Sequence, residues 1–316
     1  MQHKKNIQTE IDFNHAFRYI TQAYEEIAVM KMRKVRNSVL ATRDYLSHLA
    51  EVFYELKLEK DKINKNKIKA ALKDKQLSIA QLANRLEIDD SSNKIKRTAS
   101  VLLSANTSLY GDLIDRIFKL FIQNVSHDNS DIFIVGRLGK RLYDQYENKK
   151  PYLYFEIPDF DINLNELKPI IFNLVKYKKI TVYHGKFESI LNQKVVASSI
   201  SGDQPSAFME EVKAAKNNVK TTITNTSAVS SNYLFEPDLL KILAIFEDLI
   251  ASSLLRQTVH ETQLARWASR ILSMEKAQSN IDTSIKKLYF SRTKIQKQDE
   301  NRKQLDRLAG LTLWRR

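Results

Sequence analysis

The chain contains no cysteine. Disulfides, thiolate metal sites and cysteine nucleophiles are therefore excluded, and a reducing cytosol fits. No apolar run reaches the eighteen or so residues of a membrane-spanning helix. The opening MQHKKNIQTEIDFNH lacks the apolar core of a signal peptide. Turn-forming residues are also scarce, with six glycines and five prolines among 316 residues. None precedes Gly111, and none lies between Pro237 and Gly310. Glycine and proline supply or fix backbone angles that a helix interior cannot use. The tight turns are thus confined to 111–237, and both flanks are expected to be long helices.

The flanks carry helical periodicity. Phe13, Phe17, Ile20, Tyr24 and Ile27 alternate by four and three. The pattern then drifts by one residue through Ala28, Met32, Val35 and Val39, and continues through Leu46, Leu49, Phe53 and Leu56. Near the other end, Trp267, Ile271, Met274, Ile281, Ile285, Leu288 and Ile295 share a seven-residue repeat, with Gln278 and Arg292 as its polar steps. Narrow three-four spacing is the mark of a coiled-coil seam. FEPD places Pro237 and Asp238 at the start of the second helix, where a fixed backbone angle and a negative charge are favourable. Run to Leu313, that helix would be roughly 110 Å long at about 1.5 Å per residue.

The middle alternates strands and helices. TASVLLSAN (98–106), DIFIVG (131–136), PYLYFEI (151–157) and KKITVYHGKF (178–187) read as strands. LYGDLIDRIFKLFIQNV, GKRLYDQYE and LNELKPIIFNLVKYK read as helices. That order predicts a Rossmann-like α/β domain with a mostly parallel sheet. The expected organisation is a shaft helix over 1–57 and a Lys/Asn-rich insert with a short helix over 58–95. The α/β domain follows over 96–200, then a mobile Ser/Asn/Thr-rich loop over 201–236 and a second shaft helix over 237–316.

The charge is +14, from 51 bases against 37 acids, which favours a polyanionic or acidic partner. The sequence ITQAYEEIAVMKMRKVR concentrates Lys31, Arg33, Lys34 and Arg36 behind Glu25 and Glu26. Known site patterns fail elsewhere. VGRLGK (135–140) has the setting of a phosphate loop, but only two residues separate its glycines and Arg141 follows the lysine. DFDINLN opens like a calcium loop but has Leu164 at the required glycine and no acid at the twelfth position. The six histidines are scattered, so no metal site is expected, and no nucleophile–base pair stands out. LSIAQLANRLEIDDSSNKIKR echoes a helix-turn-helix reader. Glu87 occupies its turn, however, and Asp89 and Asp90 would repel phosphates, so no nucleic-acid partner is expected.

Taken in order, several stretches resemble the gamma subunit of F-type rotary ATPases. The N-terminal match rests on Ile20, Thr21, Ala23, Ala28, Lys31, Met32, Arg33, Lys34, Arg43 and Tyr45. YLFEPD, then Arg270, Met274, Ala277, Asn280 and Gly310, carry the C-terminal match. VGRLG and VYHGKFESILNQK add weaker segments. Where the family has an Asp-Arg-Gly and paired-glycine turn, this chain has Asn106, Thr107 and Ser108, then Tyr110, Gly111 and Asp112.

The resemblance implies a long antiparallel helical coiled coil joined to a central Rossmann-like domain. Ile20, Tyr24, Ile27 and Met32 would form the seam with Trp267, Ile271, Met274 and Ile281. Its upper end would turn inside a ring of alternating alpha and beta subunits, whose acidic levers would meet Lys31, Arg33, Lys34 and Arg36. Leu308, Gly310, Leu311 and Trp314 would form an apical bearing. Mg-ATP and ADP would belong to the partner subunits, with no cofactor, metal or catalytic residue on this chain. An epsilon-like subunit and a membrane ring, or other machinery, would meet the foot at the cytoplasmic face of the membrane. Two alternatives remain open from sequence: a rotor for other machinery such as gliding or transport, and a basic DNA-binding or scaffold protein.

Overall fold

The computed structural model describes residues 2–73, 95–200 and 239–313, except His127, Lys149 and Asp161, together with Glu236. The short helix and the helix-turn-helix echo within 77–94, and the loop over 201–235, lie outside the described residues.

Two helices frame the molecule: α1 (Gln2–Lys73) and the C-terminal helix, α5 (Leu239–Leu313). α1 continues sixteen residues past the boundary expected at 57, since the Lys/Asn-rich stretch contains neither glycine nor proline to stop it. Between them lie β1 (Ile95–Leu103), α2 (Leu113–Val125), β2 (Asp131–Val135), α3 (Arg137–Asp144), β3 (Tyr152–Phe155), α4 (Leu164–Leu174), β4 (Tyr177–Phe187) and β5 (Gln193–Ile200). The sheet order is β3-β2-β1-β4-β5. β1, β2, β3 and β4 are parallel, and β5 is an antiparallel edge on β4. Sequence reading missed β5, because QKVVASSI lacks a continuous apolar run. β1 ends earlier than expected: Ser104 donates from both its N–H and its Oγ to Val135 O (2.9 and 2.6 Å), which turns the chain out of the sheet.

The sheet is covered on both faces, as parallel sheets must be. On one, Val101, Leu103, Phe133 and Val182 pack against Leu167, Ile170 and Leu174 of α4 and Ala251, Leu255 and Val259 of α5. On the other, Leu102, Ile132, Ile134 and Tyr183 pack against Ile114, Ile117 and Phe121 of α2 and Tyr143 of α3, with Ala265 of α5 joining them. α5 thus passes from one face of the sheet to the other while also lying against α1.

The seam between α1 and α5 is antiparallel. Leu49 and Phe53 meet Leu239, Leu243 and Ile250, while Ala28, Val35 and Val39 meet Leu264, Trp267 and Ile271. Toward the free end the pairs are Glu25 with Gln278 (2.5 Å), Arg18 with Asp282 (3.0 Å) and His15 with Tyr289 (3.4 Å). Among the described residues of α1 the buried positions are Ile11, Thr21, Ala28, Val35, Val39, Thr42, Leu46, Leu49, Ala50 and Phe53, which apart from Ala50 follow a seven-residue pattern.

This corrects the expected upper seam. Ile20, Tyr24 and Ile27 are 50%, 43% and 42% exposed, as are Phe13 and Phe17 at 68% and 44%. They form a second stripe one residue away from the packed one. The packed stripe uses small or polar residues there, Thr21 and Ala28, which let the helix backbones approach. Met32 is half-buried against the seam, and Trp267, Ile271, Met274 and Ile281 are buried in it.

Candidate functional site

Open parallel sheets place ligands in the crevice beyond the carboxyl ends of their strands, where the strand order reverses. Here the reversal lies between β1 and β4. Side chains of α5 fill that place.

Gln263, Arg266 and Arg270 are spaced three and four apart, which sets them on one face of the helix. Gln263 Nε2 donates to Asp159 O (3.0 Å). Arg266 Nη1 donates to Ser104 O (2.8 Å) and Asp159 Oδ1 (2.9 Å). Ser269 Oγ donates to Tyr110 O (2.6 Å), and Arg270 Nη2 to Ser108 O (2.8 Å) and Thr107 Oγ1 (3.1 Å). Every one of these donors is on the helix. Every acceptor is on the loops that leave β1 and β3, where carbonyls have run out of sheet partners.

The Arg266–Asp159 pair is deeply buried, with side chains 6% and 4% exposed. Asp159 also accepts from Asn106 N (2.9 Å), Thr107 N (2.8 Å) and Thr107 Oγ1 (2.7 Å). Burial alone would raise its carboxyl pKa, but Arg266 and these donors outweigh burial and hold it below its ordinary value. Asn106 binds the strand ends together: its Nδ2 donates to Ile157 O (2.8 Å) and its Oδ1 accepts from Arg137 N (3.0 Å). Leu109 adopts φ +74°, a left-handed backbone that costs an ordinary residue about 1–2 kcal/mol. Gly111 follows at φ +57°. The Arg270 guanidinium lies 4.2 Å from the Tyr110 ring centre and 4.8 Å from that of Trp267.

VGRLG belongs to this construction. Gly136 sits at φ +98°, and a Cβ there would lie 2.7 Å from Ser104 Oγ and 3.0 Å from Ala105 backbone atoms. A Cβ on Gly139 would lie 2.5 Å from Ser104 Oγ, which accepts from Gly139 N–H (2.9 Å). The glycines let the β2–α3 turn close onto the end of β1.

A second polar tie crosses the seam. Arg43 of α1 meets Glu261 of α5 at 2.8 Å, and Gln257 Nε2 donates to the same carboxylate at 3.0 Å. Burial raises the Glu261 carboxyl, yet Arg43 and Gln257 carry it below its ordinary value. His260 is buried with Nδ1 3.1 Å from Gln263 Oε1, and burial lowers its pKa.

Of the bases expected to face outward, Lys31 instead lies over the Phe160 ring, with Nζ 4.2 Å from its centre. Arg33, Lys34 and Arg36 are exposed on α1. Leu308 is 60% exposed, and Gly310 and Leu311 lie within α5. Trp314 is outside the described residues. Sequence reading singled out Arg270 but passed over Gln263, Arg266 and Glu261, and met Asp159 only in a rejected calcium loop. The signal was HETQLARWASR, a run with polar residues on every face of a helix that has to be buried. Among the described residues no group of three potential ligands could hold a metal, and no helix is long and apolar enough to cross a membrane.

A two-helix shaft anchored at the strand ends of an α/β head defines the architecture of a stalk protein. A family model described as ATP synthase matches residues 3–299. The chain belongs to that family, within its gamma-chain branch. It is 25% identical over 282 residues to the ATP synthase gamma chain of Mesoplasma florum, covering 89% of this chain and 87% of the relative. It is 24% identical over 288 residues to that of Mycoplasma mycoides subsp. mycoides, covering 89% and 88%. The central stalk/c-ring structure of Tetrahymena thermophila mitochondrial ATP synthase shares the fold, with a TM-score of 0.51, 16% identity, and coverage of 82% of this chain and 99% of that one.

Proposed function

We infer that the chain is the central rotor of an F-type ATPase, turning within a ring of alternating alpha and beta subunits and carrying torque to a partner at its foot. The nucleotide, its Mg ion and the hydrolytic chemistry belong to the ring, and this chain contributes no catalytic residue. The foot, made by the α/β head and the adjoining shaft, meets an epsilon-like subunit and a membrane ring at the cytoplasmic face of the membrane.

One observation carries this reading. The free end of the shaft shows an outward apolar stripe, Phe13, Phe17, Ile20, Tyr24 and Ile27, that the seam does not use. A rod asymmetric about its own axis presents a different face to each of three surrounding sites, and so biases each toward a different conformation. The exposed bases Arg33, Lys34 and Arg36 follow the stripe, where acidic levers of the ring would press.

The chain should copurify with two large nucleotide-binding subunits. Replacing Arg33, Lys34 and Arg36 together by Glu should leave the fold intact, judged by circular dichroism and melting temperature, and lower coupled ATPase activity at least tenfold. Unchanged coupled activity in that variant would remove the docking role.

A further inference from the structure

The joint has an unusual composition. Over residues 257–270, Gln257, Thr258, His260, Glu261, Thr262, Gln263, Arg266, Ser269 and Arg270 are all at least nine-tenths buried. A helix enclosed on all sides is ordinarily apolar all round. An apolar helix would pack here with its register set by shape alone, because hydrophobic contact is non-directional. Hydrogen bonds from fixed donors to fixed carbonyls have one register.

We propose that Arg266, with Gln263 and Arg270, is a positioning residue for torque transfer. It locks the angle and height of the shaft helix against the head, and its role is distinct from holding either part folded. This rests on the rotor reading. The geometry separates the two roles. Asp159 accepts three hydrogen bonds from Asn106 and Thr107, all within the head. Removing Arg266 leaves the buried carboxylate without its counter-charge, at a cost in stability, but with the three hydrogen bonds of its own loop in place. The shaft keeps its apolar seam, Ala28, Val35 and Val39 against Leu264, Trp267 and Ile271. What is lost is the tie between them: the two bonds from Arg266 to Ser104 O and Asp159 Oδ1. Gln263 and Arg270 make the flanking ties to Asp159 O and Ser108 O, so the lock is a row of donors along one helix face.

The test uses the assembled complex and the absence of native cysteine. A cysteine replacing Leu191, 80% exposed on the β4–β5 turn, gives a unique probe site on the head. Rotation is driven by ATP with the ring fixed to a surface, and the angular stiffness of a bead on that cysteine is compared between the parent and Arg266→Met. The expected result is unchanged ATP hydrolysis without load, with stiffness and stall torque at the head reduced at least twofold. Arg266→Lys keeps the charge without the planar fork, and should recover part of the stiffness. Equal head stiffness in the parent, Met and Lys forms would overturn the proposal. If Arg266→Met does not assemble, Gln263→Leu carries the same test with one tie removed, and unchanged stiffness there overturns the proposal equally. A parent complex that assembles no ring or shows no rotation would instead refute the rotor reading.

Discussion

Asp159 shows how a single residue reads differently in sequence and in space. In the sequence it heads DFDINLN and suggests a cation. In the structure its carboxylate faces a guanidinium and three local donors, leaving no room for that role. Its depressed pKa makes it a pH-dependent support. A carboxyl held below its unfolded value contributes stability above that value and loses it as pH falls through the folded one. Asp159 and Glu261, with ordinary values of 3.8 and 4.5, both act in this sense. His260 is a base lowered from 6.5, so the unfolded chain takes up its proton first as pH drops, with the same sign. Urea unfolding midpoints should therefore be level between about pH 6.5 and 9, decline gently below that range, and fall more steeply below about 4.5. Arg266→Met should flatten the steep acid limb by weakening the depression at Asp159. A midpoint that rises on acidification would contradict the assignments. Glycine placement follows similar logic: Gly136 and Gly139 were legible as a strand-to-helix turn, but their contact with Ser104 comes from strand pairing that no local pattern encodes.

At the scale of elements, the two long helices were legible because helix breakers are missing from both flanks. Which stripe of α1 would meet α5 was not. Phe13, Phe17, Ile20, Tyr24 and Ile27 have the same spacing as the true seam and larger side chains. The partner decided the matter, through small contact residues and polar rungs such as Glu25 with Gln278. The energetic consequence is measurable. Phe53, fully buried between the helices, should cost about 3–5 kcal/mol on truncation to Ala. Ile20→Ala, half-exposed, should cost under about 0.5 kcal/mol in the isolated chain. The same Ile20 change should weaken association with the ring subunits in a pull-down titration. Equal destabilisation by the two substitutions would place Ile20 back in the seam. β5 escaped notice for a related reason: at the sheet edge it buries only Gln193 and Ile200 fully, and its pairing with β4 supplies the order.

For the whole molecule, the surplus of bases acts over distances longer than any one contact. A charge of +14 draws an acidic partner through a field that salt screens over about 10 Å at 0.1 M. Association with the isolated ring should weaken at least tenfold between about 0.05 and 0.5 M salt, measured as the dissociation constant by surface binding. The Arg33, Lys34, Arg36→Glu variant should show a shallower dependence. Salt-independent affinity would mean that the apolar stripe carries the interface and the bases do not.

The sequence by itself determined the class of architecture. Its sparse breakers require long helices at both ends, and its alternation of apolar runs requires a covered, mostly parallel sheet between them. These are local consequences of backbone freedom and side-chain period. Only the tertiary structure decided where the helices touch and how the shaft is fastened to the head. A buried polar group is marked by the partner it finds, and Arg266 and Asp159 lie 107 residues apart. The seam and the sheet bring α5 past the strand ends, and the row of hydrogen bonds from Gln263, Arg266 and Arg270 then fixes its height.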